Sequence, residues 1–108
     1  MSPRSRFAII YAPEVRSHVA AIEAKYHGGI RRTIKEQLSF APGEATRNRK
    51  PLEDQPGPFE STWELRCGPE NPSRVFYEIA SETRQVSVLA IGVKDRDRLF
   101  IAGEEFEP

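Results

Sequence analysis

Basic side chains cluster around an apolar stretch in the C-terminal half of the chain. Arg74 opens the run RVFYEIA, and Lys94, Arg96 and Arg98 follow the run VSVLAIGV. Arginine and lysine bind phosphate oxygens, and the planar fork of arginine can bind two of them at once. The pattern therefore predicts an apolar scaffold that presents positive charge to a partner.

Other interpretations of these cations stay open. Residues 94–98 (KDRDR) alternate in sign, which also fits a solvated turn that neutralises itself. Arg74 also fits a structural ion pair with Glu64 or Glu78.

A second basic group, formed by Arg47, Arg49 and Lys50, lies in the segment 41–61. The Pro-Gly pairs of this segment and its lack of hydrophobic periodicity predict a long irregular loop. Loops of this length in small domains tend to be functional or mobile.

The 108-residue chain has no net charge, but its charge is unevenly distributed. Residues 1–50 contain ten Lys/Arg and four Asp/Glu, whereas residues 51–108 contain six and twelve, so partners are predicted from local patches. The lone Cys67 excludes an intrachain disulfide and makes no metal site. No apolar run approaches the roughly 18 residues of a membrane span, and a signal-peptide pattern is absent. We therefore expect a cytoplasmic protein with no membrane contact, no metal and no cofactor.

Strands that would carry the cations are predicted from apolar alternation and β-branched content. Ser73–Ala80 and Gln85–Val93 form a β-hairpin across the polar turn SETR. Residues 62–67 (TWELRC) alternate as well, with Trp, Leu and Cys on one face and Glu64 and Arg66 on the other. Together these strands predict an antiparallel meander.

The N-terminal third predicts a strand over residues 6–11 and two helices. Apolar residues recur at helical spacing in two sets, which are Val15, Val19, Ile22 and Tyr26, and then Ile30, Ile34 and Leu38. Gly28-Gly29 is predicted to end the first helix and to link the two as an αα-hairpin. We expect His18 and His27 at the surface.

These elements predict an α+β domain over residues 1–108 with two layers. The N-terminal strand joins the edge of the sheet, and the helical hairpin covers one face. The other face is expected to be partly open and to carry Glu64, Arg66 and Arg74. The tail 99–108 fits either a last helical turn or a short edge strand.

The element order and the string WELR (63–66), RVFY (74–77) and VLAIG (88–92), followed by Lys94 and Arg96, resemble the RelE/ParE superfamily of bacterial type II toxins. The resemblance covers nearly the whole chain and rests on short motifs. For RelE-like members it implies an mRNA interferase, a ribosome-dependent and metal-independent endoribonuclease. ParE-like members share the fold but act on DNA gyrase. Either kind is neutralised by a cognate antitoxin, with which it forms a hetero-oligomer. We expect the antitoxin to bind the edge strand or the helical hairpin.

The resemblance also implies roles for single residues. Arg74 falls at the phosphate-binding arginine of the family, Arg66 at a basic residue of the neighbouring strand, and Lys94 and Arg96 in the basic turn after the last strand. These four are the candidate catalytic residues. The candidate RNA contacts are Arg47, Arg49, Lys50, Arg98 and Phe100, the last of which can stack on a base.

The chain departs from the family pattern at three positions. Glu64 stands where RelE-like enzymes have a lysine, Lys94 where the best-known members have an arginine, and Phe100 where a tyrosine assists. Proton transfer then falls to Glu64, Lys94 or a histidine. Three functions stay open: a ribonuclease toxin, a gyrase-directed toxin that needs no acid–base groups, and a non-toxic antitoxin-binding module.

Overall fold

The computed structural model describes residues 6–107 and places helices against one face of a seven-stranded sheet. The strands are β1 (Ala8–Tyr11), β2 (Arg49–Pro51), β3 (Trp63–Arg66), β4 (Ser73–Ala80), β5 (Gln85–Asp95), β6 (Arg98–Ile101) and β7 (Glu104–Phe106). The helices are α1 (Val15–Ala20) and α2 (His27–Leu38), and short 3-10 turns cover Ala24–Tyr26 and Pro58–Glu60. The predicted α+β class is confirmed.

Strands β2 to β7 lie side by side in chain order, each antiparallel to the next. They contain the predicted meander, which is β3, β4 and β5. Strand β1 pairs in parallel with the first half of β5, and β6 pairs with residues 93–95 at its end. The predicted addition of the first strand to the sheet is confirmed, and β1 and β6 share one edge of β5. The tail forms a β-hairpin and not a helical turn, with Ala102 and Gly103 at positive φ in its turn.

A β-bulge in the β4–β5 pair decides which side chains face the helices. Tyr77 pairs with Val88 but Phe76 pairs with Ala90, so Leu89 is an extra residue on β5. Side chains alternate between faces in a strand, and an inserted residue exchanges the two faces beyond it. Val88 before the bulge and Ile91 after it are therefore both buried against the helices.

Helix α2 supplies the apolar residues that cover the sheet. Ile30, Ile34 and Leu38 are buried in one cluster with Leu65 and Val75 of the sheet. Full burial of such a side chain stabilises the fold by about 1.5–3 kcal/mol. The predicted alternation of β3 is confirmed, because Leu65 is buried while Arg66 is exposed.

The predicted helix break at Gly28-Gly29 is wrong. Both glycines lie inside the first turn of α2, and the chain leaves helical geometry earlier, between α1 and residue 24. A close tertiary approach explains one of them: a Cβ on Gly29 would lie 3.1 Å from Nδ2 of Asn71 in the β3–β4 loop. The glycine thus accommodates a neighbouring loop and does not end a helix.

The segment 41–61 is less irregular than predicted, since it contains β2 and a 3-10 turn. The hydroxyl of Tyr77 donates a hydrogen bond to the carbonyl of Pro42 at 2.8 Å, and the Leu52 N–H donates to the Thr62 carbonyl at 2.9 Å. The segment is therefore tied to the sheet at both of these points. In the part of the chain that the structure describes, no helix is long and apolar enough to cross a membrane.

His18 is buried, so the expectation of a surface residue is wrong. Its Nδ1 accepts a hydrogen bond from the Ile91 N–H at 3.2 Å, and its ring stacks on Phe59 at 5.7 Å. Residues 89–92 of β5 lie between the stretches paired with β1 and with β6. The imidazole therefore satisfies a strand N–H in a gap of the sheet edge.

We predict that stability falls as the pH drops below about 6.5 because of His18. Burial lowers the pKa of His18 from its usual 6.5, and Glu14 opposes this shift. The unfolded chain then binds a proton more readily than the folded chain does. The stabilisation that neutral His18 contributes is therefore complete above pH 6.5 and is lost as the pH falls through the folded pKa. Urea unfolding at several pH values should show this loss. His18→Asn keeps an acceptor without titrating, and an unchanged pH dependence in this variant would refute the assignment.

Candidate functional site

Five basic side chains from four segments of the chain line one cleft of about 840 Å³, which we call the basic cleft. They are Arg47, Arg66, Arg74, Lys94 and Arg96. Among the described residues that line it, Glu70 is the one carboxylate. All four candidate catalytic residues and one candidate RNA contact are thus brought together.

Strand register positions the central cations of the basic cleft. Arg66 of β3 lies directly opposite Arg74 of β4, and Arg74 lies opposite Gly92 of β5. Lys94 follows Gly92 by two residues and so projects from the same face. Like charges directly opposite each other in a sheet repel, and an anion bound between Arg66 and Arg74 would relieve this repulsion.

Arg74 is held in position by protein groups. Its Nε lies 3.4 Å from Oε2 of Glu64, and its Nη1 donates to the carbonyls of Pro72 at 3.2 Å and Ser73 at 3.1 Å. Its side chain is 15 % exposed. Burial lowers the pKa of Arg74 and Glu64 opposes the shift, but the guanidinium stays protonated near neutral pH. Of the two predicted ion-pair partners of Arg74, Glu64 is the one observed. Arg74 lines the basic cleft as well as forming this ion pair.

The other four cations of the basic cleft have no ion-pair partner within 4 Å among residues 6–107. Lys94 and Arg96 in particular do not pair with Asp95 or Asp97, so the structure does not favour the self-neutralising turn. Arg96 adopts a φ of 61°, which is uncommon for a residue other than glycine. Arg96 lies in the two-residue turn between Asp95 and Arg98, and hairpin turns of this length require positive φ.

Two further candidates lie beside the basic cleft. Lys50 is exposed and lines a small adjoining groove with Arg47 and Arg66. Arg98 forms an ion pair with Glu105, whose Oε1 lies 3.1 Å from its Nη2, and faces a different cleft that also contains Lys94.

The structure does not bring Arg49 into the basic cleft. Its side chain is buried; Nε donates to the Glu44 carbonyl at 2.9 Å, and Nη1 donates to the carbonyl and to Oε1 of Gln37 at 2.7 and 2.9 Å. Arg49 thus joins the end of α2 to β2, and its guanidinium is not presented to a ligand.

Phe100 also lies away from the basic cleft. It pairs with Val93, whereas Lys94 pairs with Leu99, so Phe100 projects from the helix-covered face. There it lines a separate cavity with Ile22 and Tyr26.

Tyr26 is a cleft residue that the sequence pattern did not indicate. Its spacing from Ile22 suggested a helix stripe, but the 3-10 turn before α2 brings it to the wall of the basic cleft. No histidine is among the described residues that line this cleft. Within residues 6–107, no group of three or more His, Cys, Asp or Glu side chains is arranged to hold a metal ion.

Comparison of the chain with protein-family models, with curated proteins and with solved structures gives no match in any of the three.

We predict that Arg49 and Arg47, which lie two residues apart, differ in how much they contribute to the free energy of unfolding. Arg49→Gln should lower the free energy of unfolding by about 1.5–3 kcal/mol, because it removes charged hydrogen bonds in a buried position. Arg47→Gln, at an exposed position, should change it by less than about 0.5 kcal/mol. Chemical denaturation of both variants tests this, and equal losses would contradict the assigned roles.

Proposed function

We propose that the chain is a toxin of the RelE/ParE superfamily that cleaves mRNA on the ribosome and is neutralised by a cognate antitoxin. The observation that carries this proposal is the basic cleft, in which four of five cations have no ion-pair partner in the described chain. The motif string of the resemblance supports it, since WELR forms β3, RVFY begins within β4, and VLAIG lies in β5. Ribosomes and mRNA imply action in the cytoplasm.

Cleavage of RNA through its own 2′-hydroxyl matches the groups that this cleft offers. The 2′-oxygen attacks phosphorus, the bond to the 5′-oxygen breaks, and a 2′,3′-cyclic phosphate and a 5′-hydroxyl result. Negative charge builds on the phosphoryl oxygens in the transition state, where fixed cations stabilise it. Arg74 and Arg66 flank the position for this phosphate, and Arg74 is already oriented by Glu64.

Proton transfer in this proposal uses groups that border the basic cleft. The Lys94 ammonium donates a proton to the leaving 5′-oxygen. The carboxylate of Glu70, on the wall of the cleft, accepts the proton of the 2′-hydroxyl. Phe100 does not line the basic cleft, but Tyr26 does. A base can therefore stack on the aromatic ring of Tyr26.

A gyrase-directed toxin is the second candidate. It needs binding but no acid–base groups, so it is also compatible with a cleft whose described lining residues include no histidine. The same basic cleft would then contact an acidic protein surface. A non-toxic module that binds an antitoxin is the third, and toxicity measurements distinguish it from the other two.

The antitoxin is proposed to pair with strand β1. The Ala8 N–H donates to the carbonyl of Arg84, just before β5, and the Ala12 N–H donates to that of Val88 in β5, both at 2.9 Å, which leaves the backbone groups of Ile9 and Tyr11 directed to the other edge. Ile10 and Tyr11 on this strand are 44 % and 48 % exposed. An added strand would satisfy the backbone groups and bury both side chains.

We predict that expression of the chain in bacteria stops growth, and that Lys94→Ala and Arg66→Ala each relieve the arrest. Arg66→Ala removes a cation that stabilises the phosphate, and Lys94→Ala removes the proton donor to the leaving oxygen, so either change should slow cleavage by roughly 100-fold or more. Primer extension on cellular mRNA should show cuts at codon boundaries for the wild-type chain and few for these variants. Lys35→Ala on the exposed surface of α2 is the matched control and should remain toxic.

Growth without any defect would refute the toxin proposal. Toxicity without mRNA cuts would refute the nuclease and leave the gyrase-directed function, which inhibition of DNA supercoiling in vitro would then establish. Unchanged cutting by the Lys94 and Arg66 variants would refute the proposed site.

A further inference from the structure

A second cleft, of about 450 Å³, adjoins the basic cleft and shares Lys94 with it. Lys94 pairs with Leu99 and Leu99 pairs with Phe106, so the three side chains lie in one row on the open face of the sheet. We call this cleft the Lys94–Phe106 groove. Its volume falls within the roughly 300–1,000 Å³ of small-molecule sites.

The groove has a packed apolar floor and a fixed wall. Phe76, buried on the open face of the sheet, forms the floor, and Leu52 belongs to the segment that forms the wall. A Cβ on Gly57 would lie 2.7 Å from Cδ1 of Leu52 and 2.5 Å from Oγ of Ser61, and the Gly57 N–H donates to the Ser61 carbonyl at 3.0 Å. The wall is therefore formed before any ligand arrives.

The charge of the groove is opposite to that of the basic cleft. Among its described lining residues are Lys94 and Arg98, with Arg98 paired to Glu105, and four carboxylates, which belong to Glu64, Asp97, Glu105 and Glu107. Carboxylates repel a phosphate group but accept hydrogen bonds from N–H donors. Apolar and aromatic walls with acceptors at the rim match a nucleobase, which has flat faces and N–H groups at its edge.

We propose that the Lys94–Phe106 groove binds the base of the nucleotide whose phosphate lies in the basic cleft, an inference that rests on the proposed action on RNA. The nucleotide straddles Lys94, with its phosphate on the cationic side and its base on the apolar, acidic side. A basic peptide also matches the acidic rim, but it would have to lie beside the five cations of the adjoining cleft. The continuity of the two clefts therefore favours a nucleotide.

Single-stranded RNA with and without bases tests this inference. A short fluorescent oligonucleotide, 2′-O-methylated so that it cannot be cut, is compared by anisotropy with the same backbone lacking its bases. Both carry the same phosphates, so the charge contribution is equal. The intact oligonucleotide should bind the wild-type chain roughly ten-fold more tightly or better, as expected for base stacking.

Phe106→Ala should reduce this ratio toward one, because it removes the aromatic ring at the end of the groove. Phe40→Ala makes the same change outside both clefts and should leave the ratio as in the wild type. Where Phe106→Ala does not fold, the wild-type comparison alone decides.

Equal affinity of the two oligonucleotides for the wild-type chain would overturn the base subsite while the proposed function stands. An unchanged ratio in folded Phe106→Ala would overturn it too. Failure of both oligonucleotides to bind would overturn the proposed action on RNA and this inference with it.

Discussion

The bulge in the β4–β5 pair is the constraint on which the site depends. Val88 faces the helices, and Lys94 is six residues further on, so in a regular strand both would lie on the same face. The extra Leu89 exchanges the faces and sends Lys94 to the side that carries Arg66 and Arg74, while Ile91 still fills the core. A one-residue change of register in this pair would bury Lys94 or expose the core. The apolar packing and the basic cleft are therefore set by the same register.

The open face divides its charge between two neighbouring clefts. In the basic cleft, on one side of Lys94, Glu70 is the one carboxylate among the described lining residues, and the other charged groups are cations. In the Lys94–Phe106 groove, on the other side, the described carboxylates outnumber the cations. Glu64 contributes to this division because it neutralises Arg74 at 3.4 Å and also lines the acidic groove. The zero net charge of the chain thus conceals a local separation that suits a ligand with an anionic part and an uncharged, hydrogen-bonding part.

Alternation and β-branched content predicted the meander of β3, β4 and β5 and much of the basic cleft, whereas β2 fell within the predicted loop. The alternation of Leu65 and Arg66 and the apolar runs beside Arg74 and Lys94 reported local geometry directly. Phe100 was misplaced because its face depends on the length of the β5–β6 turn, which sets Lys94 opposite Leu99.

Arg49 and Tyr26 depend on tertiary contacts that local sequence does not encode. The guanidinium of Arg49 reaches the end of α2 at Gln37, twelve residues away in the chain, and Tyr26 reaches the cleft because a 3-10 turn replaces the expected helix. Similarly, Gly28 and Gly29 broke the helical pattern in the sequence but not in the structure, where packing overrode their low helix propensity. The buried His18 was missed since its partner is a strand N–H, 73 residues distant, in a gap of the sheet edge.

We propose that the cations of the basic cleft act as one phosphate-binding site, and the salt dependence of RNA binding tests this proposal. The affinity of the wild-type chain for a short single-stranded RNA should fall with salt at a log–log slope of about −2 to −4, since each phosphate contact on a single strand contributes about −0.7. Arg66→Gln and Arg47→Gln should each make the slope shallower by about 0.7, whereas Lys35→Gln on α2 should not change it. A slope near zero, or one that Arg66→Gln leaves unchanged, would contradict a shared phosphate-binding site in this cleft.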